Sequence, residues 1–193
     1  MLKDLVLANR SYRGFDESYT FSKEDMEEFI EIARLCPSAA NLQPLKYYIC
    51  YEQDRVEQIL NCTKWAAALP ELCLPREGHH PTAFIVICQD CSISSNLNSS
   101  QKDVGIAAQS ILLRAAEDGL GGLMIGNFDS DALKTVLGLS DQFEIQLVIA
   151  LGKPDETIKI VDVKNDGSTK YYRDKDDVHY VPKRLLKNII INN

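Results

Sequence analysis

Near the start of the chain, Arg10-Ser11-Tyr12-Arg13 places two guanidinium groups and a hydroxyl within four residues. Each guanidinium offers a planar fork of donors that matches phosphate oxygens, so the run is a candidate phosphate grip. The same pattern is also common on solvated surfaces. A second run, Pro37-Ser38-Ala39-Ala40-Asn41-Leu42-Gln43-Pro44, combines small side chains with two amides. Small residues let a flat ligand approach the backbone, and Asn41 and Gln43 carry donors and acceptors for a heterocycle's edge. The competing reading is a polar turn between helix and strand. The third run is Gly119-Leu120-Gly121-Gly122-Leu123-Met124-Ile125-Gly126, whose glycines could bring main-chain N–H groups close to a ligand. These glycines precede a strand rather than link strand to helix, so the run is not a dinucleotide fingerprint. The chain contains no GxxxxGK[ST] phosphate loop.

Other reactive residue types carry less. Cys88-Gln89-Asp90-Cys91 is a lone CxxC with no clear helix after it, which is not the setting that stabilises a redox-active thiolate. Cys73, His79 and His80 added to this pair match no standard zinc spacing, so no metal site is expected. The irregular, proline-rich stretch from Lys64 to Pro81 holds the only tryptophan, Trp65. It reads either as a lid over a ligand or as a surface loop with Trp65 and Leu69 tucked inward, the lid being preferred because binding residues favour long loops. Tyr171, Tyr172 and Tyr180 read as packing or interface residues.

The elements that must position these residues follow from periodicity. Leu2 to Ala8 is amphipathic. Ser22 caps a helix that carries Asp25 three residues on and Met26, Phe29, Ile30 and Ala33 on one face, ending before Pro37. A further helical turn can open at Ser38. Tyr47 to Tyr51 predicts a strand, Asp54 to Leu60 a short helix and Ala83 to Cys88 a buried strand. Asp103 to Asp118 predicts the longest helix, with Val104, Ala107, Ala108, Ile111, Leu112 and Ala115 as its apolar stripe. A strand follows in the glycine run, then a helix over Ser130 to Leu137 and a buried strand over Glu144 to Leu151. Helices interleaved with four apolar strands indicate α/β or α+β. The charged tail, Asp155 to Asn193, has too few apolar residues for its own core, and a partner subunit is its simplest support.

The 193 residues suit one domain of ordinary globular composition. With 28 acidic against 21 basic side chains the formal net charge is -7, which argues against nonspecific nucleic-acid binding. No apolar run approaches the ~20 residues that cross a bilayer, and the first residues lack a signal-peptide core. Six cysteines in such a chain are expected as reduced thiols, which suggests the cytoplasm.

Taken in order, NRSYRGF, PSAANLQP, DVGIAAQSILLRAAEDGLGGLMIG and VIALGKP resemble the FMN-dependent nitroreductase family over nearly the whole chain. The resemblance implies an α+β fold, a central mixed sheet flanked by helices, with residues 1–154 as the FMN-binding core. Residues 155–193 would be an arm of the same domain packed on the partner of a homodimer. It also implies FMN as cofactor and NADH or NADPH as electron donor. The implied reaction is ping-pong hydride transfer to a small oxidised acceptor such as a nitroaromatic or quinone. Enone reduction or dehalogenation on the same fold, or a non-catalytic FMN-binding or sensing dimer, are the alternatives. By resemblance, Arg10, Ser11 and Arg13 hold the cofactor, and Arg13 stabilises its reduced form, the catalysis being flavin-centred. Pro37, Ser38, Ala39 and Asn41, with Gln43 beside them, line the flavin from the other subunit. Met124, Ile125 and Gly126 lie over one of its faces, and Arg173 meets the phosphate. Where many members carry a second arginine before the Arg-Ser pair, this chain has Asn9.

Overall fold

The computed structural model describes residues 1–66 and 72–192. Its elements run α1 (Leu2–Ala8), α2 (Lys23–Arg34), β1 (Leu45–Cys50), α3 (Gln53–Asn61), β2 (Ala83–Asp90), α4 (Gln101–Glu117), β3 (Gly121–Ile125), α5 (Ser130–Leu137) and β4 (Phe143–Gly152). The tail adds β5 (Ile158–Asp162), β6 (Tyr172–Arg173) and β7 (His179–Lys183). The fold is α+β. Strands β1 to β4 form one sheet in the order β1-β2-β4-β3. Its pairs are antiparallel, where a mixed sheet was expected. Among the described residues, parallel pairing enters only at an isolated Ser11–Gly122 bridge on the outer edge of β3 and between β5 and β7. The segment that supplies the parallel neighbour is thus an extended run of the N-terminal loop.

Both faces of the sheet are covered, which explains why β2 is buried along its length and apolar from Ala83 to Cys88. Ile85 and Ile87 face a core built with Met26, Phe29 and Ala33 of α2 and Val104, Ala108 and Ile111 of α4. Phe84 and Val86 face the opposite core, with Val56 and Ile59 of α3 and Leu133 and Leu137 of α5. Helix α2 starts at the predicted capping box: the Asp25 N–H donates to Ser22 Oγ at 3.1 Å, and the Ser22 N–H donates to Asp25 Oδ2 at 2.8 Å. Among the described residues, no helix is long and apolar enough to cross a membrane.

The glycines around β3 make room for chain rather than for ligand. A Cβ on Gly121 would fall 2.4 Å from the Tyr12 ring, and one on Gly122 only 2.1 Å from the Ala150 carbonyl oxygen. With Gly121 bare, the N-terminal run lies flat on β3, and the Tyr12 N–H donates to the Gly122 carbonyl at 3.1 Å. Residues 153–156 extend the same ribbon: Asp155 N–H donates to Gly14 O and Asp16 N–H to Lys153 O, at 3.0 and 2.9 Å.

The tail forms its own small sheet, in the order β5-β7-β6, and also fastens to its own chain. The Arg13 N–H donates to Glu156, and the Arg173 guanidinium closes on the other oxygen of that carboxylate. Backbone pairing and charge together hold a segment too polar for a core of its own.

Replacing Gly122 with alanine is expected to destabilise the protein by about 1–3 kcal/mol, because the colliding atom is backbone and cannot swing away. Chemical denaturation measures this, and a stability equal to wild type would contradict the close approach.

Candidate functional site

Three of the sequence-predicted cations and donors converge. Arg10, Ser11 and Arg13 line a cavity of about 350 Å³ together with Met124, Gly122, Gln109, Tyr171, His179 and Lys183. Among the described residues, no carboxylate lines it. Three permanent cations with no internal counter-charge favour an anionic ligand. Arg10 also donates to the Val6 carbonyl at 2.6 Å, and Tyr12 Oη donates to Ala8 O at 2.9 Å, so the run caps the last turn of α1. Both Arg10 Nε and Arg13 Nε are buried without a hydrogen-bond partner. Burial lowers both guanidiniums from their ordinary value, and Arg173 adds to the shift at Arg13. The Arg13 guanidinium lies over the Tyr171 ring, 5.1 Å from its centroid.

His179, on β7, is 2% exposed and has no partner at either ring nitrogen. Burial, then Arg13 and Arg173, push its pKa down to about 4, so the imidazole is neutral at pH 7. His179, Val181 and Lys183 all line the cavity, as residues spaced by two on one strand face do. Sequence reading missed this face because Pro182 interrupts the strand signal. Pro182 is tolerated because it lies beyond the pairing with the two-residue β6. Tyr171 was expected only to pack, and Gln109 lay unnoticed on the long helix.

The other predicted residues are placed differently. Only Met124 of its trio enters the cavity: Ile125 is buried in the core beside α5, and Gly126 is exposed. Arg173 turns away from the cavity, its side chain 6% exposed and ion-paired with Glu156 and, at 3.1 Å, with Asp177. Asp177 in turn holds Arg76 through two bonds of 2.7 and 2.9 Å. Through Arg76, and through His79 on Asp155 at 2.8 Å, the described part of the Lys64–Pro81 stretch is pinned to the tail. It borders a smaller cavity of about 40 Å³ beside Arg173. Trp65 packs on the α3–α5 core and donates to Thr63 Oγ1 at 2.7 Å, as a surface loop would have it; Leu69 lies outside the described residues.

Pro37, Ser38 and Gln43 line a separate cavity of about 280 Å³. Ser38 Oγ donates to Asp103 of α4 at 2.6 Å, the Ala39 N–H donates to the same carboxylate at 3.1 Å, and Gln43 N–H donates back to Ser38 Oγ at 3.0 Å. Ala40, Asn41 and Gln43 have φ of 50°, 54° and 52°. Non-glycine residues in this region cost of order 1–3 kcal/mol each and gather at ligand sites. The Ser38 hydroxyl therefore holds the loop, and Ala39 and Asn41 are exposed on it. Cys88 is buried, its thiol pushed up to about 12 by burial, and forms no disulfide with Cys91. Among the described residues no group of three acidic, histidine or cysteine side chains could hold a metal.

Comparison with known proteins gives a consistent result. The family model described as "Nitroreductase family" matches residues 6–74 and 77–153. The chain is 32% identical to the oxygen-insensitive NADPH nitroreductase of Helicobacter acinonychis, over 78% of this chain and 86% of that one. Its fold resembles an FMN-dependent nitroreductase of Clostridium difficile, with a TM-score of 0.66, 20% identity and 98% of each chain covered. It also resembles nitroreductase A of Vibrio parahaemolyticus, with a TM-score of 0.66, 24% identity and coverage of 84% of this chain and 71% of that one.

One consequence of the site needs no ligand. Between pH 6.5 and 4 the unfolded chain takes up a proton at His179 that the folded chain refuses, so stability is whole above 6.5 and lost on the way down to 4. The loss is up to about 3 kcal/mol. Denaturation curves across this window should fall more steeply for wild type than for His179→Asn; parallel curves would contradict a buried neutral imidazole.

Proposed function

The chain belongs to the nitroreductase family, and from that membership we propose that it is an NAD(P)H-dependent flavin oxidoreductase that uses FMN. The observation that carries the cofactor reading is the cavity beside β3. It has three cations, no lining carboxylate among the described residues, and buried guanidinium nitrogens still open to an acceptor. This donor set fits a phosphorylated heterocycle. Arg10, Lys183 and Ser11 would hold the phosphate end, and Arg13 the electron-rich edge of the ring. When bound, FMN supplies hydride transfer between a nicotinamide and an acceptor, and the protein supplies binding, orientation and electrostatics.

Arg13 suits the charge-stabilising role because three things fix it. Its N–H is held by Glu156, its Nη1 donates to the Ser11 carbonyl at 3.1 Å and its guanidinium lies over Tyr171, while Nε faces no internal partner. A preorganised cation costs no reorganisation when negative charge develops beside it. Met124 supplies an apolar surface at the mouth of the cavity. Lys183 takes the phosphate role first assigned to Arg173, whose charge is already answered by Glu156 and Asp177.

The loop of Pro37, Ser38, Ala39, Asn41 and Gln43 completes the site from a second copy of the chain. It is strained and exposed, and it borders a different cavity of its own chain, which fits a wall offered to a partner's ligand. Leu2, Leu7, Leu35, Leu42, Ile106 and Leu186 are exposed apolar side chains that such a homodimer would cover. A small oxidised molecule, such as a nitroaromatic or quinone, is the acceptor in this reading, and the cytoplasm is the compartment.

The test is anaerobic mixing of FMN-loaded protein with NADH or NADPH while the oxidised-flavin absorbance is followed. Rapid bleaching by one donor is expected; a flavin that stays oxidised with both would overturn the reductase. Arg13→Ala should weaken FMN binding by about ten- to hundredfold, the loss of a charge-assisted hydrogen bond. Equilibrium titration measures it, and wild-type affinity in the variant would remove Arg13 from the site.

A further inference from the structure

Folded proteins seldom leave a buried polar atom unanswered. His179 leaves two, on a ring that lines the cationic cavity. Its surroundings are well defined. The Tyr171 ring meets it edge-on at 5.3 Å and 61°, the charges of Arg13 and Arg173 flank it, and Asp177 is the carboxylate that opposes them. Its own N–H of the backbone is spent on Thr157 O at 2.9 Å, so only the ring remains to be satisfied. Two neighbouring guanidiniums and burial keep that ring neutral, and a neutral imidazole has one N–H and one lone pair. The lone pair is what the three cations of the cavity lack. Arg10, Arg13 and Lys183 can only donate, and they answer phosphate or carbonyl oxygens but not a hydroxyl or an imide N–H.

We propose that His179 is a ligand-contacting residue of this cavity, its ring nitrogen accepting a hydrogen bond from a hydroxyl or imide N–H of a phosphorylated heterocycle. The proposal rests on the FMN reading above and deepens it: the cations select the anion, and His179 selects for the donor group carried with it. Inorganic phosphate, which satisfies the cations alone, would leave the imidazole unanswered.

The decisive measurement is nitrogen NMR of the full protein labelled at histidine, titrated at pH 7 with FMN and separately with inorganic phosphate. FMN is expected to shift the unprotonated ring nitrogen of His179 while the ring stays neutral, and inorganic phosphate to leave that nitrogen in place. His179→Leu should bind FMN about three- to tenfold more weakly, and His179→Asn, which keeps an acceptor, should stay close to wild type. If the leucine variant fails to fold, the wild-type titration still decides. FMN that binds without moving the His179 nitrogens, or a ring that becomes protonated on binding, overturns this proposal alone. No FMN binding at all overturns the cofactor reading and this proposal with it.

Discussion

The Glu156 carboxylate, 5% exposed, is the point at which three parts of the chain are tied together. One oxygen accepts from the Arg13 backbone and the other from the Arg173 guanidinium. Arg173 passes the connection to Asp177, and Asp177 passes it to Arg76. A buried pair of this kind is costly to desolvate, and removing either partner leaves an unanswered charge inside the protein. Its value here is one of position. It fixes the N-terminal run against the tail, and with it the position of Arg13 at the cavity.

The second constraint is one of space. β3 is the last strand of the main sheet; Gly121 presents no side chain to the Tyr12 ring of the N-terminal run, and Gly122 presents none to the Ala150 carbonyl of β4. Gly152 does the same for the Phe15 ring, which a Cβ would meet at 2.7 Å. The extended ribbon that results carries Ser11 and Arg13 to one cavity, while the tail sheet closes that cavity from the other side with His179 and Lys183. Neither wall is enough without the other, since each supplies only part of the donor set.

Electrostatics then separates residues that look alike. Arg13 and Arg173 are both buried arginines within reach of Glu156. Arg173 has its charge met by two carboxylates, whereas Arg13 gives Glu156 only its backbone N–H; its Nη1 donates to the Ser11 carbonyl and its Nε is left without a partner. The same logic distinguishes Ser11 from Ser38, whose hydroxyl is already engaged with Asp103. A polar side chain committed inside the protein is a support, and one left uncommitted at a cavity is available to a ligand.

Local sequence determined most of the main fold. The Ser22–Asp25 box, the apolar stripe of α4 and the apolar run Ala83–Cys88 of β2 each act through neighbours three, four or two residues away, so their elements could be read directly. The Arg10–Arg13 run and the PSAANLQP loop could be picked out for the same reason, as short clusters of polar and small residue types. The tail was not legible: its strands are short, charged and broken by Pro182, and they exist because of pairing with one another and the clamp at Glu156. Tertiary structure alone decided that Arg173 is ion-paired with Glu156 and Asp177, that Ile125 belongs to the core, and that His179 and Lys183 face the same space as Arg13. The first two depend on which charges and surfaces a side chain meets, and the last joins residues more than a hundred positions apart, which no local pattern encodes.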